Sequence, residues 1–316
     1  MQPSVAGVRV TLALGLARAT EAAALACARG LGRADADRVR DVAATAMLEA
    51  LEDLEVVGHV ALGPRDNQVL SRGTTIGSGS CRFDIAAYPV EGASLVARGL
   101  AGAISVVAAV EPGGFPRLPA VWYMDTIIAG PQAHGALDLS GPLSDNLRRI
   151  AFAGNARVSD LTVAVLDRPR HKETIQQIRA SGARLMLIEE GEIAGALLAA
   201  LDGTGVDAMV GISGLQETVI AACAVRCLGG ELQAKLWPRN EEERELAGDQ
   251  LGRIYGVTDL APQTIDGAVT GISGGLLAAV TYGKAWDQTG SLTFSTDPPV
   301  VRRMQTRHHH PSEQAR

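Results

Sequence analysis

The stretch at residues 161–193, L-T-V-A-V-L-D-R-P-R-H-K-E-T-I-Q-Q-I-R-A-S-G-A-R-L-M-L-I-E-E-G-E-I, decides the fold. T-V-A-V-L at 162–166 and R-L-M-L-I at 184–188 are short apolar runs of strand length. The intervening residues 172–180 read as a helix, closed by S-G at 181–182. A strand, a helix and a second strand in this spacing predict parallel strands joined by a helical crossover.

Outward from that unit the alternation continues. A helix over 144–155, with Ser144 as its cap, precedes it; a helix over 192–201, a strand over 206–210 and a helix over 217–228 follow. Repetition of this kind predicts a mostly parallel sheet covered on both faces, with ligands bound beyond the carboxyl ends of its strands. The segments 166–171, 188–192 and 211–217 fall at such ends. Toward the N-terminus the order differs: helices over 10–29 and 35–54, then strands over 56–62, 83–87, 104–110 and 120–128. Asp35 is placed to cap the second helix, whose apolar face carries Val39, Val42, Ala43, Ala46, Met47 and Leu51. After Trp237 a charged helix is expected over 240–255, then strands and turns over 267–275 and 291–304. The chain thus reads as α/β: an α+β metal-side domain at 1–150, a β-α alternating substrate-side domain at 151–306, and a disordered tail at 307–316.

Composition narrows the function classes. Aromatic residues make up 3% of the 316-residue chain and the net charge is −6, which argues against a base-stacking surface and a general polyanion binder. No apolar run reaches membrane-spanning length and the N-terminus carries no convincing signal segment, so a cytoplasmic protein without a membrane partner is expected. Four scattered cysteines do not make a disulfide scaffold; Cys223 and Cys227, four apart on a helix, read as structural thiols. G-S-G-S at 77–80 lacks the lysine of a phosphate-binding loop and reads as a turn. The triple histidine at 308–310 orders no substrate if it lies in a mobile tail.

Several longer motifs point to one family. They are T-E-A-A-A-L-A (20–26) with L-G-R (31–33), D-I-A-x-x-P-V-E-G (84–92), Y-M-D-x-x-I-A-G-P (123–131), D-L-S-G-P-L-S-D-N-L-R (138–148), L-T-V-A-V-L-D-R-P-R-H (161–171) and G-I-S-G-x-x-E (211–217). In this order, over nearly the whole chain, they resemble the class II fructose-1,6-bisphosphatases, within the inositol-monophosphatase-like phosphatases. The resemblance implies a layered αβαβα sandwich and a homo-oligomer. It also implies hydrolysis of the 1-phosphate of a sugar bisphosphate with Mg²⁺ or Mn²⁺. Such hard ions take oxygen ligands and clamp the phosphoryl oxygens.

By that resemblance Glu91 and Glu217 are catalytic metal ligands, with Asp66 as a substitute ligand and Asp37 and Asp41 as further candidates. The substrate side comprises Tyr123, Arg168, Arg170, His171, Glu190, Glu192 and Lys235. Arginine suits phosphate through its planar fork. Arg168 and Arg170 could instead only pair with Glu190 and Glu192 at the surface. The metal side departs from the family pattern. Tyr88 replaces the first acid of the D-P-x-E-G turn, and Ala93 the hydroxyl residue. Pro64 and Arg65 stand where an acidic loop begins, and Ala36 and Arg40 where a lysine and an aspartate are expected. Tyr88 either fills the volume of an absent metal or acts as an acid in new chemistry. Three functions follow: a divergent sugar bisphosphatase of weakened activity, an inactive sugar-phosphate-binding subunit, or a repurposed metal-independent enzyme.

Overall fold

Local patterning accounts for most of the observed elements. The computed structural model describes residues 5–64, 69–79 and 81–310, with side chains from Leu12 onward in the first helix. The chain opens with α1 (Val5–Ala28), α2 (Ala36–Glu52), β1 (Val56–Leu62), β2 (Thr75–Ile76), β3 (Cys81–Glu91), α3 (Ala93–Arg98) and β4 (Ile104–Val110). Next come β5 (Tyr123–Ala129), α4 (Leu143–Ala153), β6 (Thr162–Leu166), α5 (Lys172–Ser181), β7 (Arg184–Ile188), α6 (Glu192–Ala200), β8 (Ala208–Gly214), α7 (Leu215–Cys227), β9 (Glu231–Trp237), α8 (Glu241–Ala247), β10 (Ile254–Gly256) and α9 (Val257–Leu260). Four strands close it: β11 (Ile265–Gly271), β12 (Thr281–Tyr282), β13 (Trp286–Thr296) and β14 (Pro299–His309). No helix among the described residues is long and apolar enough to cross a membrane.

The residues divide into two compact units, Met1–Pro112 with Thr264–Arg316, and Gly113–Gln263. The expected division at 150/151 and the tail from 307 are both corrected. β11 pairs antiparallel with β4, and β13 with β14, so the last strands complete the first sheet. β14 runs to His309, and His310 Nε2 lies 2.9 Å from Asp287. Residues 311–316 lie outside the described set. Pairing partners some 160 residues apart leave no local trace, which is why the boundary could not be read from composition.

In the first unit the sheet order is β12-β13-β11-β4-β3-β1-β2, with β14 on β13, and only β1 and β3 run parallel. Asp35 caps α2, its carboxylate accepting the Arg38 N–H at 2.9 Å, as its sequence position predicts. Val39, Ala43, Met47 and Leu51 are buried, while Val42 and Ala46 are half-buried. In α1, from Leu12 to Ala28 only Leu14 and Arg18 are exposed. It is held on the sheet partly by buried polar groups. The Thr20 and Thr270 hydroxyls meet at 2.8 Å, Thr270 and Ser291 at 2.9 Å, and Glu21 accepts from Ser291 and Thr306 at 3.0 and 2.7 Å. Cys27 in the same helix is buried, which pushes its thiol up to about 12.

In the second unit the order is β10-β9-β5-β8-β6-β7. Only the β6–β7 and β6–β8 pairings are parallel, so the sheet is mixed where a mostly parallel one is expected. The cause is β5, which inserts between β8 and β9 antiparallel to both. The β-α run does produce co-directional strands; an earlier strand has been laid among them. Ile127, Val163 and Val210 on one face pack with Leu147 and Ile150 of α4 and Ile178 of α5. The opposite face carries α6, where the absence of a side chain at Gly195 admits Met209. Two mixed sheets with their helices agree with the α/β sandwich class expected from the sequence.

Other boundaries shift for local reasons. β3 continues through Tyr88 to Glu91 rather than ending at Ala87, and β8 runs to Gly214, so the G-I-S-G segment is strand and not loop. α4 begins after Pro142 without a side-chain cap, not at Ser144. The helix expected over 240–255 stops at Ala247, because Gly248 has φ +51°, and the chain returns as β10. Cys223 is buried and Cys227 half-buried, so neither is exposed, and burial pushes the Cys223 thiol up to about 12.

Candidate ligand site

Alternation along the strands of the second unit builds the site. Asp125 lies opposite Ile212 on one side and Lys235 on the other, and Tyr123 lies opposite Gly214 and Trp237. Paired residues share a face, so these six point the same way as Ile127 and Val210 further along. That face is apolar where α4 and α5 cover it and polar at the β8 carboxyl end. Lys235 Nζ lies 3.3 Å from the Asp125 carboxylate, and Trp237 meets the Tyr123 ring edge-on at 6.1 Å.

A 3-10 turn at Pro169–His171, just beyond β6, brings in the cationic residues. His171 is fully buried. Its Nε2 accepts the Ile212 N–H at 2.7 Å, which leaves Nδ1 to donate to the Leu166 carbonyl at 2.8 Å. Burial holds its pKa below the usual histidine value, aided by the neighbouring Arg170 charge. His171 is therefore a neutral brace tying the turn to β6 and β8, a correction to its expected place among the cations facing the ligand. Gly211 makes that brace possible: it has φ +130°, and a Cβ there would sit 2.9 Å from His171 Nε2.

Arg170 is oriented by this brace. Its Nη2 donates to the Ile212 carbonyl at 3.1 Å, its guanidinium lies 4.9 Å from the Tyr123 ring centroid, and Glu192 Oε1 is 3.9 Å away. The side chain is 24% exposed, while its Nε is buried without a hydrogen-bond partner. Glu192 opens α6 and accepts the Gly214 N–H at 3.4 Å. Glu217, in the first turn of α7, folds its carboxylate back over Gly214, into space that any Cβ there would occupy. Burial, and secondarily the Glu217 carboxylate, push the Glu192 carboxyl up to about 7; the Gly214 N–H, Arg170 and Arg168 oppose that shift.

Of the residues expected on the substrate side, the structure brings Tyr123, Arg170 and Glu192 together around Gly214, with Glu217. Lys235 lies on the same face but is engaged by Asp125. Arg168 precedes the 3-10 turn and directs Nη1 to the Asp167 carbonyl at 3.4 Å. Glu190 is half-buried in the bend before α6. Sequence reading missed Asp125 and Trp237. The signal for Asp125 was available: it stands two residues from Tyr123 on a strand, hence on the same face.

Glu217 apart, the residues expected on the metal side lie in the first unit. Tyr88 is half-buried opposite Val106, and buried Glu91 lies opposite Ile104, with a bulge between them at Pro89 and Val90. Three residues on β3 thus span two on β4, which returns Tyr88 and Glu91 to the same face. Gly92 adopts φ +84° and Ala93 begins α3, buried. Arg40 pairs with Asp37 at 2.6 Å, and Asp41 is exposed. Asp66 lies outside the described residues. Among the described residues no three His, Cys, Asp or Glu side chains form a group able to hold a metal ion.

A family profile described as bacterial fructose-1,6-bisphosphatase, glpX-encoded, matches residues 10–308. A class 2 fructose-1,6-bisphosphatase of Haemophilus influenzae is 39% identical over 252 residues, covering 77% of this chain and 75% of the relative. Two proteins from Synechococcus strains, each named D-fructose 1,6-bisphosphatase class 2/sedoheptulose 1,7-bisphosphatase, are 35% identical over 339 aligned positions, covering 96% of this chain and 97% of theirs.

Proposed function

The chain belongs to the bacterial class 2 fructose-1,6-bisphosphatase family, and from that membership we propose that it binds a phosphorylated sugar at the polar end of the β5–β8–β9 face. The observation that carries this reading is Arg170. It is held by the Ile212 carbonyl and the Tyr123 ring with its side chain still 24% exposed, a fixed guanidinium suited to an anionic ligand. In this reading Arg170 and Arg168 receive phosphate, Tyr123 and Lys235 border the sugar, and Glu190 and Glu192 accept its hydroxyls.

The family is generally metal-dependent, and a bound divalent ion would supply Lewis-acid stabilisation of the phosphoryl oxygens. With Tyr88, Pro64, Arg40 and Ala93 on the metal side, hydrolysis of fructose 1,6-bisphosphate by this chain is weak or absent. Loss of an organised water alone costs roughly 10²–10⁴-fold in rate by analogy with general-base contributions. What supports this is the ligand inventory: Glu91 and Glu217 remain, while Asp37 is engaged by Arg40.

The test is binding and phosphate release with fructose 1,6-bisphosphate and sedoheptulose 1,7-bisphosphate, with and without Mg²⁺ or Mn²⁺. Binding is expected, and Arg170→Ala should weaken it by roughly ten- to a hundred-fold, the range for one charge-assisted hydrogen bond. Rapid metal-dependent phosphate release would overturn the weak-hydrolysis reading. Absence of binding to either sugar would overturn the site assignment.

A further inference from the structure

Asp125 stands in the middle of three strands on the ligand face, with Ile212 of β8 as its neighbour on one side and Lys235 of β9 on the other. Arg170 joins this row from the β8 side, its Nη2 on the Ile212 carbonyl at 3.1 Å. From the β9 side, Lys235 Nζ comes within 3.3 Å of the Asp125 carboxylate. Ile212 and Lys235 are two strand spacings apart, about 10 Å, so the two cations are held well separated with a carboxylate between them. All three side chains reach solvent: Arg170 is 24% exposed, Asp125 31% and Lys235 37%. A ligand lying along the row from Arg170 meets Asp125 before it meets Lys235.

We propose that Asp125 is a specificity-determining residue that restricts this end of the face to a sugar carrying one phosphate, received at Arg170. The inference rests on the ligand site proposed above and names the class of sugar it takes. A phosphate carries about −1.5 to −2 charge at neutral pH. A second phosphate directed at Lys235 would lie against the Asp125 carboxylate and compete with it for the same ammonium group. An opposing charge of this kind rejects the wrong ligand without adding any contact to the right one. A sugar hydroxyl meets no such conflict, because it can donate to Asp125 and accept from Lys235 with the pair left intact. A partly exposed ion pair contributes little to folding, so the effect of removing Asp125 belongs to binding rather than to stability.

The experiment is calorimetric titration of the full chain with fructose 6-phosphate and with fructose 1,6-bisphosphate at fixed ionic strength. The buffer is held free of divalent ions, so that the chain's own groups rank the two sugars. The monophosphate should bind more tightly than the bisphosphate. Asp125→Asn, close in shape, should tighten the bisphosphate by roughly ten-fold but not the monophosphate, the gain expected of one charged hydrogen bond from a freed Lys235. Adding Lys235→Gln should abolish that gain. The unfolding midpoint of Asp125→Asn should hardly move. A native chain that prefers the bisphosphate would overturn the specificity assignment and leave the ligand site standing, as would an Asp125→Asn change that shifts both sugars alike. Binding of neither sugar would overturn the ligand site itself, and this inference with it.

Discussion

His171 and Gly211 show how much a single contact organises. The imidazole is buried, neutral and bonded at both nitrogens, and it reaches Ile212 only because Gly211 offers no Cβ. Gly211→Ala forces a left-handed backbone on alanine and drives its methyl against Nε2. We expect a loss of about 1–3 kcal/mol in urea-unfolding stability. pH dependence follows from the depressed pKa. The unfolded histidine takes up a proton as pH falls through about 6.5 while the folded one does not, so acid favours the unfolded chain. The stability advantage of the native protein over His171→Asn should therefore narrow as pH falls from 7.5 to 5.5. A constant difference across that range would show that His171 titrates alike in both states. The motif R-P-R-H made all three side chains look alike in the sequence. Burial separates them, and burial at a strand end depends on which strand lies alongside.

At the scale of elements, short-range patterning was a sound guide where the stabilising interactions are local. The Asp35 cap of α2 was legible, and Asp35→Ala should cost about 1 kcal/mol in thermal or urea unfolding. The seating of α1 was not legible, since it depends on hydroxyls more than 200 residues away. Thr270→Val would leave the Thr20 hydroxyl and Ser291 without their shared partner. It should destabilise the chain by about 1–3 kcal/mol, more than a valine of similar volume would cost by packing. Glycine at 211 and 214 made the end of β8 read as loop. In the sheet these residues are strand, pairing with Thr126 and Tyr123, and their missing side chains make room for His171 and Glu217.

For the whole molecule, the two units differ in how the chain supplies them. Residues 113–263 form a continuous unit with their own sheet and a core that includes Ile127, Leu147, Val163 and Ile178. Expressed alone, that segment should show cooperative thermal unfolding by circular dichroism. A fragment ending at Pro112 lacks the strands that pair with β4 on its β11 side and should not fold cooperatively. Equal behaviour of the two fragments would contradict this division.

Residue identities and short-range patterning were enough for the family, the α/β class and the strands β1, β4, β6 and β7. All of these rest on residue identity or on contacts within a few positions. Only the tertiary structure decided that β5 lies between β8 and β9, that the last four strands rejoin the first sheet, and that a bulge puts Tyr88 and Glu91 on one face. It also decided that Arg170 faces Tyr123 and Glu192 while His171 turns inward. Pairing across a sheet is chosen by the energy of burying whole faces against each other, and that energy depends on residues far apart in the chain.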